Sequence, residues 1–116
     1  MAGVADFNGD GKSDILWQND NGGQVAIWFM NGTSIASSAS LPGVPLCSVN
    51  SQQIPCWYAV GTDDYNGDGH VDILWRNFVT GQTVVWLMNG SKVLSSGVLP
   101  SVPLNWYVVA GLSSAN

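Results

Sequence analysis

Residues 6–14 read DFNGDGKSD, and residues 64–72 repeat the pattern as DYNGDGHVD. All eight acidic residues of the 116-residue chain are Asp, and six of the eight lie in these two stretches. Only 9% of the residues are charged, so the carboxylates are concentrated twice, in the same order, in a chain that otherwise carries few charges. The two stretches therefore indicate a repeated unit with a shared local role.

The repeat extends well beyond the acidic stretches. Residues 6–46 align with residues 64–104 at a constant offset of 58 without gaps, and 23 of these 41 positions are identical. Trp57-Tyr58 matches Trp106-Tyr107 at an offset of 49, so the first repeat contains nine additional residues. A period of about 50 residues predicts one structural unit per repeat. We expect the units at 1–56 and 57–105, with 106–116 beginning a strand of a neighbouring unit.

The only two cysteines, Cys47 and Cys56, bracket the additional segment CSVNSQQIP. Two cysteines that close so small a loop predict a disulfide, and two free thiols are the alternative. A disulfide implies an oxidising compartment, so we expect a secreted or cell-surface protein. The opening residues, MAGVADFNG, have neither the basic nor the apolar region of a signal peptide.

Each repeat predicts four short strands and no helix. DILW follows each acidic stretch, and the apolar runs at 23–30 and 81–88 each lead into an Asn-Gly pair, the strongest short hairpin signal. The segments SIASSASLP and KVLSSGVLP are more polar and suit an exposed edge, whereas WYAVGTDD and WYVVAGL lead toward the next unit. The prediction is an all-β protein made of two four-stranded units, a size typical of β-propeller blades.

Oxygen-bearing side chains occupy positions 1, 3, 5 and 9 of both acidic stretches. Alternate spacing lets a tight loop aim successive side chains at one centre, and a glycine at position 6 permits the sharp turn. The residue at position 7 then offers its backbone carbonyl. Hard oxygen donors favour Ca²⁺, one ion per repeat. The predicted ligands are Asp6, Asn8, Asp10, Lys12 and Asp14 in the first repeat and Asp64, Asn66, Asp68, His70 and Asp72 in the second.

Two other kinds of loop share part of this pattern. An EF-hand needs a bidentate Glu at position 12 and flanking helices, but position 12 is Trp17 or Trp75 and the flanks are predicted strands. A simple Asp/Asn/Gly turn that joins two strands is the other alternative. The full spacing occurs twice, which favours metal binding. His70 is the only histidine, and Lys12 replaces it in the other repeat, so a carbonyl ligand is favoured over a catalytic base.

The motifs DFNGDGKSDILWQN…GQVAIWFMNG and DYNGDGHVDILWRN…GQTVVWLMNG resemble the FG-GAP/VCBS-type repeats of calcium-binding β-propellers. Such repeats occur in integrin α-subunit heads, in propeller lectins and in many bacterial surface and secreted proteins. The resemblance covers nearly the whole chain and implies a calcium loop between the first and second strands of each blade. Residues 110–116, AGLSSAN, depart from it, because Ser114 stands where Asp6 begins the first loop.

Two blades do not close a propeller, which typically has four to eight. The sequence therefore predicts either a homo-oligomeric ring, with three chains giving six blades or four giving eight, or a piece excised from a longer propeller. Repeated units that cannot bury their faces alone need neighbours in both cases.

Function is less constrained than fold, because it depends on the site and not on the scaffold. Carbohydrate binding is the favoured hypothesis, with Trp57 and Trp106 as candidate ligand contacts because both lie where irregular connections enter a strand. A structural role for both is the alternative, and Trp17, Trp28, Trp75 and Trp86 are assigned to the blade core. The alternative function is extracellular protein interaction or adhesion, or a non-catalytic scaffold.

Other classes are disfavoured by composition. Three Lys and Arg in total, with a net charge of −5, do not form the basic patch that nucleic-acid binding requires. No apolar run approaches the roughly 20 residues of a membrane-spanning helix. The absence of Glu and the assignment of most Asp residues to metal loops leave no acid–base pair for catalysis, so we expect no enzyme activity.

Overall fold

The computed structural model describes residues 3–103, over which ten β-strands form three antiparallel sheets. The strands are β1 (Gly3–Ala5), β2 (Asp14–Gln18), β3 (Val25–Asn31), β4 (Ser34–Leu41), β5 (Leu46–Val49), β6 (Gln52–Pro55), β7 (Trp57–Asp63), β8 (Asp72–Asn77), β9 (Thr83–Asn89) and β10 (Lys92–Leu99). Within these residues, no helix is long and apolar enough to cross a membrane.

Each repeat folds as a four-stranded meander in which every strand pairs with the next one along the chain. The sheet orders are β1-β2-β3-β4, which we call blade 1, and β10-β9-β8-β7, which we call blade 2. The central strands β3 and β9 are mainly apolar, whereas β4 and β10 lie at sheet edges and expose most of their side chains. The prediction of an all-β chain with four strands per repeat is confirmed.

The predicted hairpins after the central strands are present, with the turn shifted by one residue. Asn31 pairs with Ser34, so the two-residue loop is Gly32-Thr33, and Asn89 pairs with Lys92 in the same way. Gly32 has a φ of 65°. The favoured two-residue hairpin turns require a positive φ at the first loop position, and glycine adopts it without steric cost.

The central strands begin two residues later than the sequence predicted. β3 starts at Val25 and not at Gly23, because the Gly23 N–H donates to the Asn19 carbonyl at 2.9 Å and closes a turn. The Gly81 N–H donates to Asn77 in the same way. Both glycines have a left-handed φ that ends the extended backbone on the N-terminal side of the strand.

The additional segment of the first repeat is a small hairpin rather than an unstructured loop. β5 and β6 pair through a two-residue turn, Asn50-Ser51, whose φ angles of 51° and 66° fit the type I′ turn that suits strand twist. The predicted disulfide between Cys47 and Cys56 is present, with Cα atoms 5.5 Å apart. It joins this hairpin to the residue directly before β7.

The main apolar core lies between the two blades. Leu16 and Ile27 of blade 1 and Ile73 and Trp75 of blade 2 are at most 1% exposed and belong to one cluster. Each blade therefore covers one face of the other.

Candidate functional site

The two acidic stretches form the connections from β1 to β2 and from β7 to β8, as the family resemblance implied. Strand β1 ends at Ala5 and β2 begins at Asp14, so the intervening residues must reverse direction in a compact loop. Gly11 and Gly69, at position 6 of the two loops, have φ angles of 85° and 87°. These left-handed values explain the glycine that the motif places there.

The first Asp of each loop organises the backbone around it. One carboxylate oxygen of Asp6 accepts the Gly9 N–H at 2.8 Å and the other accepts the Gly11 N–H at 2.8 Å. Asp64 accepts the Gly67 and Gly69 N–H groups at the same distances. Short Asp side chains that bond to nearby N–H groups stabilise turns of this kind, and here they wrap the loop around its own carboxylate.

The last Asp of each loop is buried and connects the loop to the sheet. Asp14, which is 0% exposed, accepts the Phe7 N–H at 3.0 Å and the Met30 N–H at 2.9 Å. Asp72 accepts the Tyr65 and Met88 N–H groups at 3.0 and 2.8 Å. The motif predicted a metal ligand at this position but not its second role, which is to hold β3 or β9 against the loop.

Three carboxylates converge in each loop. One oxygen from each of Asp6, Asp10 and Asp14 lies within 4.8 Å of the other two, and the corresponding Asp residues of the second loop do the same. The first Asp is half-buried, the second exposed and the third buried. Like charges this close repel, and hard oxygen donors are the ligands that Ca²⁺ prefers, so the donor set fits a bound divalent cation.

The electrostatics of the second loop reflect this crowding. Burial raises the pKa of Asp72, and the neighbouring charges of Asp68 and Asp64 add to the increase against the two N–H groups that lower it. The exposed Asp68 has a lowered pKa, chiefly because it accepts the His70 N–H. The pKa values of Asp68 and Asp72 are thus shifted in opposite directions within one loop.

The remaining predicted ligands lie at the rim of the loops. Asn8 is exposed, and its side-chain oxygen lies 3.4 Å from the Asp10 N–H, as that of Asn66 does from Asp68. The Lys12 amino group donates to Asn31 at 3.0 Å, away from the carboxylates. Lys12 and His70 occupy equivalent positions, and each donates its backbone N–H to an Asp oxygen at 2.9 Å.

A second candidate site is an apolar cavity of about 210 Å³ between blade 2 and the connection from β4 to β5. Trp57, which the sequence singled out, lines it at the start of β7. The sequence missed the other lining residues, because they were assigned to the core or to a connection. They are Val44, Pro45, Trp75, Val84 and Trp86. Trp106, the other candidate, lies outside the described residues.

The cavity lies beside the segment that makes the two repeats unequal. The indole N–H of Trp75 in its lining is buried without a hydrogen-bond partner among residues 3–103, and so is that of Trp17 at the equivalent position of the first repeat. The disulfide-linked hairpin adjoins the cavity, because Pro45 directly precedes β5 and Trp57 directly follows Cys56. The repeated tryptophans at an offset of 58 were the sequence signal that could have indicated these positions.

Comparison with known families identifies the repeat. The model of the FG-GAP repeat matches residues 2–28 and 57–88, which together cover about half of the chain and include both acidic loops. Comparisons with curated proteins and with solved structures found no match. The matched segments contain strands β1 and β2 with most of β3 in the first repeat, and β7, β8 and most of β9 in the second. The chain therefore belongs to the FG-GAP repeat family, whose repeats form the blades of β-propellers.

Proposed function

We propose that the chain is a non-catalytic β-propeller binding module in which each blade holds one structural Ca²⁺ in its acidic loop. The observation that carries this proposal is the convergence of three Asp carboxylates within 4.8 Å in both repeats. The same hydrogen bonds, with lengths that agree to within 0.1 Å, shape the two loops. Two loops with the same structure are expected to have the same role in their blades.

The structural role of the ion follows from the position of the loop. Each loop joins two strands of a blade, and its buried Asp bonds to a third strand. An ion that binds the three carboxylates therefore favours the folded blade by mass action. We expect Ca²⁺ and not Mg²⁺, because Mg²⁺ demands a stricter octahedral geometry and gives up its waters reluctantly.

Thermal unfolding with and without chelator tests this role. At a Ca²⁺ concentration of about 100 times Kd, a bound ion stabilises the fold by about 2.7 kcal/mol, which shifts Tm by roughly 10 °C or more for a chain of this size. EDTA should lower Tm accordingly, and Ca²⁺ should restore it far better than Mg²⁺. An unchanged Tm in EDTA, together with no heat of Ca²⁺ binding in titration calorimetry, would refute the proposal.

Loop variants assign the ions to the blades. Calorimetry should give two Ca²⁺ per chain, and Asp10→Ala or Asp68→Ala should each remove one, because each deletes one carboxylate of one cluster. Asp20→Ala is the matched control, since Asp20 is exposed and lies outside both loops. A control that loses an ion would show that the stoichiometry does not report on the loops.

We assign ligand binding to the cavity beside Trp57 and propose a carbohydrate as the ligand. Aromatic walls suit the apolar face of a sugar ring, and ligand sites combine such walls with a few polar groups. Three of the six residues that line the cavity are tryptophans, Trp57, Trp75 and Trp86. The hairpin that only the first repeat contains adjoins this cavity, which gives the site a feature that the general blade lacks.

A glycan array probed with the intact chain tests the ligand class. Binding should be lost in Trp57→Ala and kept in Phe78→Ala, which removes another aromatic side chain, 46% exposed, from outside the cavity. No binding to any glycan would refute the carbohydrate assignment while leaving the calcium proposal intact. Binding that is kept in Trp57→Ala would show that the cavity is not the site.

The second candidate function is protein interaction, which FG-GAP repeats suggest. The exposed apolar side chains of the outer strand favour it, with Leu94 52% and Val98 73% exposed on β10. A protein ligand bound at this strand would lose affinity in Val98→Lys and keep it in Trp57→Ala. Affinity that is lost in Trp57→Ala and kept in Val98→Lys would instead indicate that the ligand binds in the cavity.

A further inference from the structure

The two blades contact each other through different faces. Blade 1 buries the face that carries Leu16 and Ile27, which we call the aliphatic face. Blade 2 buries the face that carries Trp75 and Trp86, which we call the tryptophan face. The contact within the chain is therefore an aliphatic face packed on a tryptophan face.

The repeat places a second copy of each face on the outside of the pair. Blade 1 carries Trp17 and Trp28 on its outer side, at the positions of Trp75 and Trp86. The ring centroids are 4.9 Å apart in the first pair and 4.8 Å in the second, and the interplanar angles are 56° and 53°. The outer side of blade 1 is thus a tryptophan face of the same shape as the one that is already buried.

The outer side of blade 2 is likewise a second aliphatic face. Leu74 and Val85 stand where Leu16 and Ile27 stand in blade 1, and they are cross-strand partners in the same register. A chain of two blades consequently presents the two halves of its own internal interface on opposite sides. These halves are complementary to each other and are not complementary to themselves.

Side chains on the outer faces are more exposed than their equivalents on the faces buried between the blades. Phe7 is 1% exposed and Leu41 is 7% exposed, whereas Tyr65 and Leu99, at the same positions of the second repeat, are 40% and 43% exposed. On the tryptophan side, Trp75 is 1% exposed and its equivalent Trp17 is partly exposed, whereas Trp28, at the position of the half-buried Trp86, is 36% exposed. Large apolar side chains that are covered in one repeat are thus open in the other.

A close approach between the inner strands of the two blades also has a counterpart on the outer faces. A Cβ added to Gly3 would lie 3.2 Å from Thr62, so glycine at this position lets the inner strands approach each other. Gly61 and Val4 are the repeat equivalents of Gly3 and Thr62. Because Gly61 also has no side chain, it leaves room for Val4 of a second molecule to approach in the same way.

Polar contacts differ between the two interfaces. Gln18 bridges the blades by donating to the Trp57 carbonyl at 2.6 Å and accepting the Ala59 N–H at 3.3 Å. Its equivalent, Arg76, donates to the Val102 and Pro103 carbonyls, and its Nε is buried without a partner among residues 3–103. Arg76 therefore binds the segment that follows its own blade, whereas Gln18 binds the next blade.

From these observations we infer that the tryptophan face of one molecule binds the aliphatic face of a second copy, head to tail, in a closed ring. Each contact repeats the interface inside the chain, so the blade stack continues from one molecule to the next. A heterologous contact of this kind closes into a ring when its rotation closes. Three copies give six blades and four give eight, both within the usual range of propellers.

One consequence concerns the cavity. Trp17 and Trp28 match two of its walls, and Val102 and Pro103 match Val44 and Pro45 at the offset of 58. The contact between two copies therefore completes a second cavity with a similar lining. The assembled protein has two such cavities per chain, only one of which adjoins the disulfide-linked hairpin.

The mass of the intact chain in solution tests the inference directly. Light scattering and native mass spectrometry in Ca²⁺ should give three or four times the 12.3 kDa of one chain. A folded monomer at tens of micromolar would overturn the inference, and the outer faces would then belong to further blades of a longer polypeptide. This readout does not depend on any variant being able to fold.

Complementation between variants tests the head-to-tail geometry. Trp28→Arg blocks the tryptophan face and Val85→Arg blocks the aliphatic face, so each variant alone should be a monomer. Mixed in equal amounts they should form a dimer, because each retains the face that the other needs. Leu99→Arg is a second aliphatic-face variant, 43% exposed and so tolerant of the change, and Val98→Arg is the control that should still assemble.

The alternative geometries give different results. Contacts between identical faces would leave one of the two variants as a dimer by itself, and mixing would yield no dimer that contains both variants. Circular dichroism of each variant establishes that it is folded before its mass is interpreted. A mixture that stays monomeric while the unmodified chain assembles would overturn the pairing of faces.

Discussion

The two acidic loops have nearly the same structure in both repeats, whereas the two copies of each blade face differ in burial. Asp14 and Asp72 are both 0% exposed and hold nearly identical hydrogen bonds, because their partners come from their own blade. Leu41 and Leu99 also occupy equivalent positions, but the first is buried and the second is 43% exposed, because a neighbouring blade covers only the first. Local sequence therefore determines loop structure, whereas burial of a face depends on what lies next to it.

The largest effect is expected at the two equivalent tryptophans. In the Val85→Arg chain, which the proposed ring predicts to be a monomer, Trp75→Ala should lower the free energy of unfolding by about 3–5 kcal/mol, as large core truncations do. Trp17→Ala should cost about half as much, because Trp17 lies on the half-exposed outer face. Urea unfolding of both variants provides the measurement.

The same pair measured in the unmodified chain sharpens the comparison. In the proposed ring, a neighbouring copy covers the outer tryptophan face, so the cost of Trp17→Ala should rise toward that of Trp75→Ala. An equal cost of Trp17→Ala in the two backgrounds would show that no partner covers this face.

A smaller effect is expected for the disulfide, the feature that makes the repeats unequal. Its cysteines are nine residues apart in sequence, and closing a loop of that length in the unfolded chain stabilises the fold by about 2–3 kcal/mol. The double variant Cys47→Ser/Cys56→Ser should lose this amount in urea unfolding and lose glycan binding, because the hairpin that adjoins the cavity is released. Unchanged binding would show that the hairpin plays no part in the site.

The smallest effect is expected at the loop glycines, where the repeats should behave alike. Gly11→Ala and Gly69→Ala should each cost about 1–2 kcal/mol, because both residues have a left-handed φ that an L-residue adopts with strain. The added Cβ would meet no described atom within 4 Å at either position, so strain alone acts. Urea unfolding in EDTA measures the backbone effect without the ion, and unequal costs would contradict the local origin of the loop.

Much of the fold was accessible from sequence because its determinants are local. The Asp and Gly positions of the loops, the apolar central strands and the Asn-Gly pairs predicted four strands per repeat and the connection that carries the carboxylates. The β5–β6 hairpin was missed, because its turn uses Asn50-Ser51 and its strands are short and polar. The cavity was missed apart from Trp57, because its walls come from segments far apart in the chain.

The sequence by itself determined the duplication, the strand order within each blade and the groups that converge in each acidic loop. These features follow from spacing, turn chemistry and side-chain alternation within about 50 residues. Only the tertiary structure decided which tryptophans are buried, which face of each blade is open and where the cavity lies. A repeated sequence presents the same side chains twice, but whether a side chain is buried depends on the neighbouring blade, which differs for the two ends of a stack.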